Sequence, residues 1–455
     1  MSGASGLFAV IPVGKFGRLT SFVIGALSLV MCLETAVSRA QQDDSPPAPA
    51  TESDQPAAAE TSDDNKVRQE LLPEGFVPAA DRLPEVTIED PKMTSEEEVE
   101  TLRSLRQDKF SSVIRDGVLN KQSEQILQRA AAYYVNRLSM PSHRKELKKM
   151  TDDVLLSIRT AGKSQSNPAT RRTFRRFYLQ EITDRTTELF KGNLFVRVDA
   201  AVILGGLILV PKDSANPNDV AFGPALKPLL DVVVDANQPD AVKIPAVNGI
   251  GQVVATAGLD TLTKMDAAAA LINQFDDPKV DAWYQEVLIK TVASIDVALD
   301  RDNKPFIVVA CVEAMSDSKR PWLVRATAAK SLGRATIDTE RVNLEALAYV
   351  IAEFTRDMTA AYNKNPKTFP LARSCFWNAY LAFKPDSTEN AGQAGLLRFA
   401  TPIIQGAYQQ VVPLARAVLS VRRGEKRAPL DDAQLVEWLQ KNKPMNQRVA
   451  TSQSE

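Results

Sequence analysis

The chain has 455 residues, too many for one compact core, so it builds either several domains or an elongated array of repeats. Its composition is ordinary for a globular protein, 44% apolar and 24% charged, and 55 basic against 56 acidic residues leave a net charge of -1. Bulk electrostatics therefore give no reason to expect a nucleic-acid partner, and any anion binding has to be local.

At the N-terminus, Lys15 and Arg18 precede "LTSFVIGALSLVMCL", Leu19 to Leu33, an apolar run shorter than the roughly twenty residues a membrane span needs. Ser38 and Ala40 supply the small residues of a cleavage site, so residues 1–40 read as a signal peptide cut after Ala40, and the mature chain is expected in the periplasm or outside the cell. An uncleaved run would be its only tie to a membrane, and Met31 before Cys32 argues against a lipoprotein. Residues 41–65 are rich in Pro, Ala and acids, lack large apolar residues and are expected to be a disordered linker. Residues 66–94 scatter apolar residues among prolines and suit a partly extended strap.

From residue 95 the apolar spacing turns helical and stays so. Residues 95–169 form an N-terminal helical segment, with "EQILQRAAAYYVNRL" and "HRKELKKMTDDVLLSIRTA" each apolar at three- and four-residue steps. No alternating strand pattern is evident. Residues 386–443 read as a helical cap that ends on "DDAQLVEWLQKN" with Trp438 inward, and residues 444–455 as a disordered tail.

Between these lies a repeat. "PWLVRATAAKSLGRA" from Pro321 has counterparts in "FVRVDAAVILGGL" from Phe195, "AVKIPAVNGIGQV" from Ala241, "WYQEVLIKTVASI" from Trp283 and "LARSCFWNAYLAF" from Leu371. A polar mark recurs at Arg197, Lys243, Gln285, Arg325 and Arg373, with gaps of 46, 42, 40 and 48 residues, the length of two-helix repeats. Three residues on stand Ala200, Ala246, Leu288, Ala328 and Phe376, and four further Leu204, Ile250, Val292, Leu332 and Tyr380, an apolar stripe on one helix face. Gly205, Gly251, Ala293 and Gly333 follow, small enough for a neighbouring helix to come close; the fifth unit breaks the rule with Leu381.

The unit resembles the second helix of a HEAT repeat, "VRxxAAxxLG", over about residues 170–385, and the related armadillo repeat shares this solution. The resemblance implies an all-α fold, an α-α superhelix or solenoid of stacked helix pairs. Each unit has a preceding helix, such as "AFGPALKPLLDVVVDAN" or "PFIVVACVEAM". A cation in a first helical turn meets the unfavourable end of the dipole, so Arg325 needs an anion from elsewhere. Asp317, Asp235 and Asp277 stand eight residues before Arg325, Lys243 and Gln285, and the resemblance implies a ladder linking successive repeats through such acids and bases. Pro321 suits the first helical turn.

Catalytic candidates are few, and no catalytic residue, metal ligand or cofactor is assigned. The one histidine, His143, sits in the basic run "SHRKELKK", which leaves no histidine-rich zinc site. "AGKS" at Ala161 to Ser164 lacks the earlier glycine of a phosphate loop. Cys311 and Cys375 lie in apolar stretches and read as buried thiols, with a disulfide permitted by export. "RRTFRRFYL" places Arg171, Arg172, Arg175 and Arg176 among aromatics: either a solvated amphipathic helix with pairs to Glu181 and Asp184, or an anion-binding site.

The repeat register supplies the interaction candidates. Asn248, Lys290, Lys330 and Asn378, and four residues on Gln252, Ser294 and Arg334, lie off the core stripe and are expected to form a polar strip across successive second helices. Such a strip suits an extended, acidic segment of a protein partner. The chain thus reads as an exported, non-enzymatic scaffold; the alternatives are an enzyme or subunit with its site in residues 66–170, or a binder of anionic polymers.

Overall fold

A computed structural model describes residues 109–213, 217–275, 280–384, 395–422, 425–446 and 448–450. The expected signal peptide, linker and strap lie outside the described residues, as do the first residues of the N-terminal helical segment. What is described is mostly helical. An opening group comprises α1 (Ser111–Asp116), α2 (Lys121–Asn136) and α3 (Leu147–Thr160). Five helix pairs follow: α4 (Pro168–Glu188) with α5 (Leu194–Gly205), α6 (Leu226–Val234) with α7 (Asp240–Thr256), α8 (Thr261–Phe275) with α9 (Ala282–Ala293), α10 (Phe306–Ser316) with α11 (Trp322–Leu332), and α12 (Leu344–Lys364) with α13 (Ala372–Phe383). Finally come α14 (Pro402–Ser420) and α15 (Ala433–Lys441).

Helix starts follow local chemistry. The side chains of Asn120, Asn167, Asn193 and Asn343 accept backbone N–H groups in the first turns of α2, α4, α5 and α12, which would otherwise lack partners. At Asn120 the Ser123 hydroxyl returns the bond to the backbone N–H, which completes a capping box. Pro321 stands one residue before its expected place, as the N-cap of α11, where its carbonyl takes the Arg325 N–H.

The second helices pack on one another in sequence: α5 on α7, α7 on α9, α9 on α11 and α11 on α13. The apolar stripe explains this. Ala200, Ala246, Leu288, Ala328 and Phe376 are fully buried, as are Leu204, Ile250, Val292 and Leu332; Tyr380 is half-buried. The small residues behave as their position suggests, with one shift. A Cβ on Gly205 would stand 2.7 Å from the Cα of Gly249, so the backbones of α5 and α7 cross at a pair of glycines. Gly251 instead faces the Thr291 methyl, and a Cβ on Gly333 would land on the Ala382 carbonyl of α13.

The expected ladder of acids and bases takes a different form. Arg325 donates through Nε to the Met315 carbonyl (2.8 Å), in the last turn of α10, and its guanidinium lies over Trp322 (4.3 Å) and Phe354 (5.2 Å). The negative end of the paired helix and two electron-rich rings thus supply what the Asp317 carboxylate was expected to give. Burial lowers the Arg325 pKa, with Asp357 and Asp317 opposing that shift from a distance. Asp317 itself accepts the Lys319 N–H (3.0 Å) and pairs with Arg320 (3.3 Å). Arg373 likewise ends on a carbonyl, that of Val421 (2.8 Å). The marks therefore stitch repeats together through amides and carbonyls as well as charges.

Two further differences concern the ends and one connection. Ile208–Val210 and Val220–Ala221 form a short antiparallel hairpin between α5 and α6, where no strand was expected. Residues 448–450, expected within a disordered tail from residue 444, dock: Val449 is buried, its carbonyl takes the Asn343 N–H (2.9 Å), and Ala450 bridges to Val342. Towards the end of the described residues α15 packs against α12 and α14, with the Trp438 indole against Gly406 and near Tyr349 (6.5 Å).

Candidate interaction surface

The strip residues sit on four neighbouring second helices. Asn248 and Gln252 on α7 and Lys290 and Ser294 on α9 are exposed, whereas Lys330 on α11 and Arg334 just after it are half-buried. Arg334 spends one nitrogen on the Lys330 carbonyl (3.0 Å) and the Leu381 carbonyl (3.3 Å), so it braces the α11–α13 junction besides facing solvent.

Asn378 corrects the expected register. It is buried, and its Nδ2 donates to the Thr327 hydroxyl (3.2 Å). Thr327 in turn donates towards Glu286 Oε2 (3.4 Å), which holds Lys290 Nζ at 2.6 Å. A polar thread thus runs from the surface lysine of α9 through α11 to the interior of α13, and each buried polar group on it has a partner. The outward place in α13 belongs to Trp377, one residue earlier. The reason is that in "ARSCFWNAYLAF" an apolar ring falls between Arg373 and Ser374 on the outward side, so that side does not read as polar.

Trp377 is 36% exposed and stacks on Tyr380, with ring centroids 5.1 Å apart and planes 15° from parallel. Tyr380 meets Tyr408 of α14 at 5.9 Å. Burial pushes the Tyr408 hydroxyl up to about 12, and its hydrogen bond with the Tyr380 side chain adds to the shift, while nearby Arg416 opposes it. These rings were not read as a site. Their signal in the sequence is the spacing of Trp377 and Tyr380 by three, together with charge: residues 371–384 and 395–422 carry Arg373, Lys384, Arg398, Arg416 and Arg422 but no acid.

The arginine cluster comes apart. Arg172 and Arg176 are exposed, and Arg171 reaches Asp213 (3.8 Å). Arg175 is 1% exposed and donates to the carbonyls of Leu209 (2.8 Å), Ile158 (2.6 Å), Ala161 (2.8 Å) and Ile208 (2.5 Å). It ties the end of α3 to the hairpin and is neither solvated nor open to an anion. Burial, and then Arg171, push its pKa down to about 10.

The "AGKS" turn is structural as well: Gly162, at φ 68°, donates its N–H to Ile114 and touches Gly117. Cys311 and Cys375 are free and buried, and burial raises both thiols to about 12, away from nucleophilic thiolate chemistry. His143 is half-buried in a 3-10 turn. Among the described residues no group of three His, Cys, Asp or Glu side chains is placed to hold a metal ion, and no helix is long and apolar enough to cross a membrane. No family model, curated protein or solved structure matches the chain.

Proposed function

We propose that the chain is an exported helical-repeat scaffold of the solenoid type, which presents its second helices to an extended, acidic segment of a protein partner. The observation that carries this reading is the succession of contacts α5–α7–α9–α11–α13, which brings Asn248, Gln252, Lys290, Ser294 and Lys330 onto consecutive helices at one register. Stacked helix pairs offer a long open surface rather than a closed pocket. The amides of Asn248 and Gln252 both donate and accept, as an extended backbone requires, and Lys290 and Lys330 complement carboxylates. Signal-directed export and the repeat architecture belong to the same proposal.

The test is titration of a fluorescent glutamate-rich peptide into the full chain and into the Lys290→Gln, Lys330→Gln double variant. Glutamine is used because Lys290→Glu would set a second carboxylate against Glu286. Binding that weakens several-fold in the variant, and more at low salt than at high, supports the strip. Equal binding by both proteins places the site elsewhere.

A further inference from the structure

The α13–α14 face combines two features: an aromatic stack that reaches the surface, and two helices that carry arginines but no acid. Tyr380 stacks on the Trp377 indole, which is still 36% exposed, and the Tyr408 ring lies against Tyr380 with centroids 5.9 Å apart. Arg416, two turns beyond Tyr408 on α14, is exposed. Arg373, one turn before Trp377, is exposed and uses one nitrogen on Val421. Neither α13 nor α14 contains an aspartate or glutamate, although the whole chain has one more acid than base.

We propose that this face binds an acidic polysaccharide, with a uronate ring stacked on Trp377, its hydroxyls on the tyrosine pair and carboxylates on Arg416 and Arg373. The chemistry selects this class in three steps. The open face of an indole is electron-rich and receives the slightly positive C–H groups of a sugar ring. Hydroxyls that both donate and accept suit sugar hydroxyls. Two arginines on separate helices match a polymer with one charge per ring, whereas a nucleic-acid strand places a phosphate about every 3.4 Å and calls for a row of cations. A peptide side chain, by contrast, is anchored by insertion into a well-packed pocket rather than on a flat exposed ring. The site does not depend on the peptide strip.

The test uses the full chain and a hexamer of galacturonate, followed by calorimetry and by tryptophan fluorescence. The expected results are measurable binding, weaker binding of an uncharged glucose hexamer, and a loss of about tenfold in Trp377→Ala, the change that 1.4 kcal/mol of lost stacking produces. Trp377→Phe retains part of the affinity, which separates loss of the ring from loss of fold, and Arg416→Gln weakens binding and flattens its salt dependence. The Lys290→Gln, Lys330→Gln variant binds the hexamer as the parent does. No binding of the galacturonate hexamer, binding that survives Trp377→Ala in a folded protein, or tighter binding of a polyglutamate or oligo(dT) through the same residues would each overturn the proposal.

Discussion

The α5–α7 and α11–α13 junctions each join two second helices that pack in succession, and they are built differently. At the first, two glycine backbones cross and the side chains around them are apolar: Ile203, Val247 and Ile250 are buried. At the second, Gly333 again admits a neighbour, but Thr327 and Asn378 hydrogen-bond across the interface. The Gly333 carbonyl also takes the Gly395 N–H (2.7 Å) and the Arg398 guanidinium, whose other nitrogen reaches Ala335 (2.8 Å). Glycines set how close two helices come, and a polar contact sets which residue faces which. An apolar junction tolerates sliding; a hydrogen-bonded one has a single register.

The comparison is tested first at what the two junctions share. Ala328 lies in the fully buried column of α11, the helix packed against α9, α10 and α13. Ala328→Asp forces a carboxylate into that column and is expected to cost about 4 kcal/mol, enough to abolish a cooperative melt near the parent temperature. Wild-type melting would show that the column does not form the shared core.

The glycines come next. A methyl on Gly333 meets a backbone carbonyl, which no rotamer change relieves, and it disturbs the carbonyl that binds Arg398; Gly333→Ala is expected to cost about 3 kcal/mol. Gly205→Ala meets the Gly249 Cα at 2.7 Å across an apolar interface that can slide, and about 1 to 2 kcal/mol is expected. Chemical denaturation of both variants checks the order. A larger loss at Gly205 would reverse the contrast drawn between the junctions.

The polar contact predicts an asymmetry of its own. Asn378→Leu removes one partner and leaves the Thr327 hydroxyl, which is fully buried, with only its long bond to Glu286, so about 2 kcal/mol of loss is expected. Adding Thr327→Val to that variant removes the stranded group and is expected to recover part of the stability. Strictly additive losses in the double variant would mean that the two side chains do not act as a pair.

Much of this was legible in the sequence, and the exceptions have physical causes. The buried columns could be read because an i, i+4, i+8 repetition of apolar residues has one structural solution on a helix. The outer face of α13 could not, because the apolar ring of Trp377 falls between the exposed Arg373 and Ser374 on that helix and reads as core. The partners of Arg175 and Arg325 were hidden because backbone carbonyls have no sequence signature, so a buried arginine that binds four of them looks like a surface one. The hairpin escaped because strands of three and two residues are too short to alternate. Of the proposed strip, exposure at Asn248, Gln252, Lys290 and Ser294 follows the register, and the register is lost where the apolar pattern loses its contrast.

The smallest expected effect comes from a pair of contacts that the repeat uses twice with roles exchanged. Arg197, a mark residue, donates to Gln238 (3.1 Å) in the turn of the next pair, and Gln238 donates to the Phe190 carbonyl (3.3 Å). Two repeats on, the mark is Gln285 and the turn residue is Arg320, which donates to Gln285 (2.9 Å) and to the Phe275 carbonyl (2.7 Å). Asp235 and Asp317 each stand three residues before the turn residue and fold the same local turn, accepting the N–H two residues on at 2.9 and 3.0 Å. Arg197 and Gln238 are thus interchangeable if the repeat geometry is what matters. Arg197→Gln leaves two amides and loses the charge-assisted bond, while Gln238→Arg sets two cations together; each is expected to cost about 1 kcal/mol. The double exchange recreates the Gln285–Arg320 arrangement and places the new arginine beside Asp235, as Arg320 lies beside Asp317. A thermal double-mutant cycle is expected to return the exchanged protein to within about 0.5 kcal/mol of the parent, with a favourable coupling energy. Additive losses would show instead that each contact is peculiar to its own repeat.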